Sequence, residues 1–415
     1  MSKSASAASQ GRTLRPTPRR RTLRDGQVRV VVSGLAATYP MGGTFWDYMQ
    51  YVLGLHQLGH EVLYVEDTGR WCYDPQRQTF VERGDANADY LGRNLARLEP
   101  ALSERWFYRD ATGRCWGRDW NHVVAFCRSA DLFLQISASC WLREEYLAAD
   151  VLALVDTDPI YTQARLQEPA ADGERKLYAR ATNFTFALNI GRPGCRVPDD
   201  GMRWLPTIQP VVQVCFEPAM VPVKDRRWVL TTVASWEPAE AGPMLDGVRY
   251  AGKSAELLKL LDLPPRSPLP LELALSGPAP RQKLLAAGWR LTDPYAVSRD
   301  PWVYRDYLAR SLGEWSVAKN AYVAGRTGWF STRTACYLAL GVPAVVQDTG
   351  FGHALPTGQG LLTFSTADEA VAAIESLAAH PQRHARAARD LAREYLAADR
   401  VLPRLLSEAL NRAHA

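Results

Sequence analysis

The densest group of ligand-binding side chains in this 415-residue chain lies between Gly328 and Gly352, in the run GWFSTRTACYLALGVPAVVQDTGFG. Its periodicity predicts a helix over Thr332–Leu340, a Gly-Val-Pro break and a short strand over Ala344–Gln347. The first amides of a helix have no partner within it and carry partial positive charge. Ser331, Thr332 and Arg333 at such an end therefore suit an anion, phosphate above all. After the strand, Asp348, Thr349, Gly350, Phe351 and Gly352 form a second loop, whose glycines let the backbone approach a ligand closely. Trp329 and Phe330, ahead of the helix, either line a base pocket or belong to the core. Lys253 opens a further predicted helix (Ser254–Leu261), where the helix dipole disfavours a cation unless an anion sits there too. Lys319 precedes the opening run, and Glu314, beside Gly313, is a candidate acid of the same site.

A second set of groups has the opposite character. The predicted strand Val151–Val155 ends in Asp156-Thr157-Asp158-Pro159. Two carboxylates at a strand's carboxyl end suit acid–base work or the holding of sugar hydroxyls. The same residues also suit a turn before proline and a helix cap. Gly42, Gly43 and Thr44 form a loop at the end of the first strand, where a neutral polar acceptor would bind.

The elements that must position these groups alternate strand and helix. Val28–Ser33 reads as a buried strand, Thr44–Leu58 as an amphipathic helix closed by Gly59, and Glu61–Val65 as a second strand, opening a doubly wound α/β domain. Asp131–Ile136, Val151–Val155 and Thr185–Ile190 read as further strands. Residues 68–114 fit no clear pattern beyond a helix over Ala88–Leu98. Pro218–Asp225 reads as a linker. Trp228–Val233, Leu271–Leu275, Trp315–Val317 and Gly360–Phe364 supply strands of a second α/β domain. The helices Glu369–Ala378, Pro381–Tyr395 and Val401–Ala413 close the chain. The expected division is a disordered basic tail (1–27), a first Rossmann-like domain suited to a neutral polar acceptor (28–220), a second Rossmann-like domain suited to a phosphate-bearing ligand (221–385) and C-terminal helices packing back on the first domain (386–415).

Composition narrows the function. Residues 1–24 hold seven Lys and Arg and no acid, so the formal charge of +5 leaves about −2 (5 − 7) for the rest. No basic body suits a nucleic-acid partner. No apolar run reaches the roughly 18–20 residues of a membrane helix. Seven dispersed cysteines without a C-x-x-C pair suggest reduced thiols in the cytoplasm, and neither a zinc site nor any other metal is expected. The first loop does not have the G-x-G-x-x-G spacing of a dinucleotide site.

The segments GEWSVAKNAYV and GWFSTRTACYLALGVPAVVQDTGF and, more faintly, TTVASW, YAGKSAELLKLLDLP and VDTDPIYTQ resemble GT-B-fold glycosyltransferases. They most resemble bacterial proteins of glycosyltransferase family 1 and the CgeB-like group. The resemblance implies an α/β fold of two Rossmann-like doubly wound domains facing across a cleft, and sugar transfer from a nucleoside-diphosphate donor to a hydroxyl of a small molecule or glycan. It places Ser331, Thr332 and Arg333 at the donor phosphates, Asp348, Thr349 and Gly350 near the sugar, and Lys253 at the diphosphate. The nucleotide sugar is a co-substrate, and no further cofactor is expected. Asp156 or Asp158 is the expected base if the reaction inverts. Cys336 stands where retaining relatives carry a ribose-holding Glu, five residues before the helix-ending Gly341. A nucleotide-sugar epimerase, or a silent nucleotide-sugar-binding regulator, is the alternative, and a homodimer is left open.

Overall fold

The computed structural model describes residues 26–238, 240 and 242–411, so the predicted basic tail lies almost wholly outside the described residues. Two sheets organise the chain. The first has eight strands in the order Trp204–Pro206, Thr182–Thr185, Val151–Asp156, Leu132–Ile136, Arg29–Ser33, Glu61–Asp67, Trp106–Arg109 and Cys115–Gly117. All neighbours run parallel except the last pair. The second has six parallel strands in the order Arg290–Thr292, Leu271–Ser276, Arg227–Ser235, Ser311–Ser316, Ala344–Gln347 and Leu361–Phe364.

In each sheet the strand that comes first in sequence lies inside, with neighbours on both sides. The strand order therefore reverses beside it, and the carboxyl ends there form a crevice. Val30, Val31 and Val32 are fully buried because helices cover both faces, which is why the strand reads as an unbroken apolar run.

Several expected elements shift. The strand expected at Thr185–Ile190 is Thr182–Thr185. Its polar side chains are buried because they are paired: Asn183 donates to the Tyr178 carbonyl at 2.8 Å and Thr185 to Asp156 Oδ2 at 2.8 Å. Phe186–Ile190 leaves the sheet and crosses to the second half. The strand expected at Trp315–Val317 is Ser311–Ser316; Gly313 and the buried polar Ser311 and Glu314 hid its first residues. The first helix begins at Gly42, two residues earlier than its apolar stripe. The stretch without a clear pattern contains a hairpin, Cys72–Asp74 with Thr79–Val81, and the strand Trp106–Arg109, which with Cys115–Gly117 just beyond it extends the first sheet.

The last helix, Ala398–Asn411, returns to the first half. Ala398 N donates to the Val211 carbonyl at 2.8 Å, and Val211 N to the Leu396 carbonyl at 2.7 Å. The helix lies across Gly54 of the helix Gly42–Gln57, where a Cβ would stand 2.9 Å from that of Ala398.

Candidate active site

The carboxyl ends of the two sheets face each other, and the cationic groups expected of the second half converge there. Arg333, in the first turn of the helix Thr332–Ala339, donates from Nε to Glu314 Oε1 at 2.7 Å and from a terminal nitrogen to the Val233 carbonyl at 3.0 Å. Glu314 is 0% exposed and also accepts from Ser316 at 3.0 Å, so it acts by orienting Arg333. Burial alone would lower the Arg333 pKa, but Glu314 outweighs it and the pKa is raised. Arg333 lines two adjoining cavities. One, a narrow cleft, is bounded by Thr232, Ser235, Trp236, Lys253 and Trp315. The other is bounded by Trp329, Ser331, Thr334, Gln347, Thr349 and Phe351. Thr232 Oγ1, Trp315 Nε1 and Thr334 Oγ1 are buried there with no protein partner among the described residues.

Lys253 occupies the first position of the helix Lys253–Leu258. Burial, together with Arg333 and Lys319, pulls its ammonium down to about 8, and Glu237 and Asp158 offset this only in part. Lys319 spans the cleft: Nζ is 2.9 Å from Asp158 Oδ1, 3.5 Å from Glu237 Oε1, and 4.4 Å from the centre of the Tyr161 ring. Burial works against its charge, but the two carboxylates prevail and raise its pKa.

The two glycine-containing loops are tied to each other and to residues beyond them. Thr349 Oγ1 donates to the Trp329 carbonyl at 2.6 Å, Asp348 Oδ1 accepts the Gly350 amide at 2.8 Å, and Phe351 is packed edge-on against Phe330. Trp329 stacks on Tyr322 with ring centres 4.4 Å apart, and its indole N–H donates to the Thr157 carbonyl across the cleft at 3.0 Å. Asn189, from the segment that leaves the first sheet, donates to the Arg326 carbonyl at 2.8 Å and the Gly350 carbonyl at 3.1 Å. Gly328 lies so close beneath it, with φ of +73°, that a Cβ would stand 2.8 Å from the Asn189 amide nitrogen.

On the first-sheet side the two expected carboxylates separate. Asp156 is buried, and it accepts from Thr162 Oγ1 (2.7 Å), Thr185 Oγ1 (2.8 Å), Gln163 Nε2 (3.3 Å) and the Asp158 amide (3.0 Å). Both oxygens are filled from within its own half, so it builds the turn. Ile160, a β-branched residue at φ 72°, marks backbone strain in the same turn. The Asp158 side chain is 48% exposed and reaches the second half, where Lys319 and the Tyr322 hydroxyl donate to it. Desolvation would raise its pKa, but Lys319 and Tyr322 overcome this and hold it below the ordinary carboxylate range.

Gly42 and Gly43 pack against the second half. A Cβ on Gly42 would stand 2.7 Å from the Asp300 carbonyl, and one on Gly43 would be 3.6 Å from the Tyr304 ring. Helix contact thus accounts for Gly42, whereas a side chain at position 43 would make only ordinary contact with Tyr304, and the adjacent Thr44 is partly buried in the same turn.

Four groups of the site carry no local motif: Asp47, Glu237, Asn189 and Tyr322. Asp47, five residues into the first helix, lies against the opposite helix end. Burial, with Asp158, pushes its carboxyl up to about 6, while Thr332 and Arg333 act in the opposite sense. Only its placement on the polar side of an apolar helix stripe could have singled it out. Among the described residues no group of three His, Cys, Asp or Glu could hold a metal ion, and no helix is long and apolar enough to cross a membrane.

No family model matches the chain, and no curated protein matches it. Solved structures do. The chain is similar to AviGT4, a glycosyltransferase involved in avilamycin A biosynthesis (TM-score 0.52, 13% identity, 94% of this chain and 98% of that one). It is also similar to an alpha-glucosyltransferase in complex with UDP and a 13-mer DNA (TM-score 0.56, 8% identity, 94% and 100%). A third match is the Anabaena protein HepE in complex with UDP and glucose (TM-score 0.51, 10% identity, 92% and 98%). The fold is that of GT-B glycosyltransferases, two Rossmann-like halves across a cleft.

Proposed function

We propose that this chain transfers a glycosyl group from a nucleoside-diphosphate sugar to an acceptor hydroxyl. The observation that carries the reading is the convergence of Lys253, Lys319 and Arg333 with the free helix end at Ser331 and Thr332, in a cleft opposite carboxylates. Fixed cations and amides of this kind stabilise the charge that develops on a departing diphosphate. The buried unpartnered hydroxyls and indole around Arg333 would take the polar edges of the nucleoside. UDP, bound in two of these structural neighbours, is the first nucleotide to test.

In this reading Ser331, Thr332, Arg333 and Lys253 hold the diphosphate, and Asp348 and Gly350 border the sugar. Glu314 and Thr349 are positioning residues. Asp158 locks Lys319 and places acceptor hydroxyls. The acceptor enters over the first half, where Trp71 (52% exposed) and Trp141 (62%) stand out from loops and Phe80 (47%) from the hairpin strand Thr79–Val81. Flat apolar rings of this sort suit a sugar face or an aromatic acceptor. One neighbour holds DNA, but the net charge of about −2 outside residues 1–24 favours a small molecule or glycan here.

The test is thermal melting with UDP, GDP and dTDP and their glucose or mannose conjugates. A ligand at 100 times its Kd stabilises by about 2.7 kcal/mol, enough for a shift of a few degrees. At least one nucleotide is expected to give that shift, and a flat response to the whole panel rejects the reading.

A further inference from the structure

We propose that the chain carries a second ligand site, at the outer edge of the first sheet, which takes a small amphipathic anion: an apolar body ending in a carboxylate or a phosphate. The site shares no residue with the two clefts beside Arg333 and is independent of the sugar-transfer reading.

The cavity measures about 350 Å³ and is roomier than either of those clefts. Small-molecule sites occupy about 300–1,000 Å³. Three segments that meet only in the folded chain enclose it. The first is the sheet edge, with Phe184 on the strand Thr182–Thr185, Leu205 on Trp204–Pro206, and Ile208 just beyond. The second comes from the other half, where Ala354 and Leu355 follow the turn Phe351–His353. The third is the returning chain, where Val401 and Leu405 stand one turn apart on the helix Ala398–Asn411. Protein interiors leave few voids larger than a water molecule, so an unfilled space of this size with apolar walls is unusual. An apolar body entering it would be removed from water against Phe184, Leu355 and Leu405, all of them buried.

The backbone of one wall is irregular. Residues Ala392–Leu396 form a wide π turn between two α-helices, and this turn carries Glu394 and Tyr395 to the cavity. Such turns are rare and recur at functional sites. The Tyr395 ring is 36% exposed and offers a flat apolar face beside the opening.

The charges at the rim select the head group. Arg400 and Arg404 are exposed, line the cavity and stand one turn apart. Like charges at that spacing repel one another. Among the described residues neither side chain forms an ion pair or a hydrogen bond, whereas the nearby Arg393 is bound to Glu217 at 2.6 Å. Glu394 and Glu408 also border the space. They lie on separate elements, the π turn and the end of the last helix, and Glu408 forms no ion pair with Arg404 although it stands four residues on. The two guanidinium groups are the adjacent pair, and one anionic head between them would relieve their repulsion and accept charge-assisted hydrogen bonds from both.

The test titrates decanoate and decyl phosphate into the full chain by calorimetry, with decanol and decylamine as controls of the same length. One site per chain is expected, with at least one of the anions bound at least about tenfold more tightly than either control. An Arg400→Ala, Arg404→Ala double variant should keep its melting temperature, because both side chains are exposed, and should lose at least about tenfold in affinity for that anion. Leu205→Trp, which fills the cavity, should abolish binding. Lys253→Ala should leave it within twofold. The absence of saturable binding by both anions, decylamine bound as tightly as the anions, or unchanged affinity in the arginine double variant each overturns the proposal. A loss of binding in Lys253→Ala overturns it too, because the anion would then occupy the phosphate cleft.

Discussion

On the donor side of the cleft, Ser331, Thr332, Arg333, Asp348 and Gly350 come from one continuous stretch, and Lys253, Glu314 and Lys319 join it from elsewhere. On the acceptor side, Asp47, Asp158 and Asn189 come from three segments that sheet pairing alone brings together. The donor side is cationic and braced by Glu314 and Thr349, whereas the acceptor side is acidic. Its two neighbouring aspartates have unlike tasks, because a strand end turns one carboxylate into its own fold and the next outward. A leaving diphosphate needs fixed positive charge that does not reorganise.

The largest effect that would break this contrast concerns Asp156. If it is a builder of the turn, Asp156→Ala strands the Thr162 and Thr185 hydroxyls, Gln163 Nε2 and the Asp158 amide in a buried site. A loss of about 3–5 kcal/mol in urea-unfolding stability is expected. Near-normal stability with abolished turnover would return Asp156 to the chemistry.

A smaller effect sharpens the donor side. Lys253→Ala is expected to weaken UDP binding about tenfold, measured by calorimetry, as for the loss of one charge-assisted contact. Because the Lys253 pKa lies near 8, wild-type affinity should hold at pH 7 and decline as pH rises through 8, when the ammonium is lost. The variant should lack that decline. An identical pH profile in both proteins would remove Lys253 from the phosphate site.

The smallest effect is on the stability of the acceptor side. The Asp47 carboxyl rises from 3.8 to about 6 on folding, so its charge opposes folding. That penalty is absent below pH 4, grows between pH 4 and 6, and is complete above 6. Asp47→Asn should therefore be more stable than wild type by on the order of 1 kcal/mol at pH 7, with the gain vanishing below pH 4. A variant less stable at pH 7 would show that Asp47 anchors structure.

Much of the fold was legible along the chain. Ala344–Gln347 and the helix beginning at Thr332 lie where the apolar spacing puts them, because a strand buried on both faces and a helix with one buried stripe each leave a local pattern. Thr182–Thr185 and the first half of Ser311–Ser316 were not legible. Their buried residues are polar, and what makes that burial tolerable is a partner far away in sequence, such as Arg333 for Glu314. The glycine at 42 was visible as a glycine, but whether it served a ligand or a helix contact depended on Tyr304, more than 250 residues on.

The sequence by itself thus determined two wound α/β halves and a phosphate-suited helix end, since periodicity, glycine and the helix dipole act over a few neighbouring residues. The tertiary structure decided which carboxylate is locked into a turn and which is bridged to a cation across the cleft. Those properties depend on burial and on charges brought within a few ångströms by the meeting of the two halves, and no local spacing encodes them.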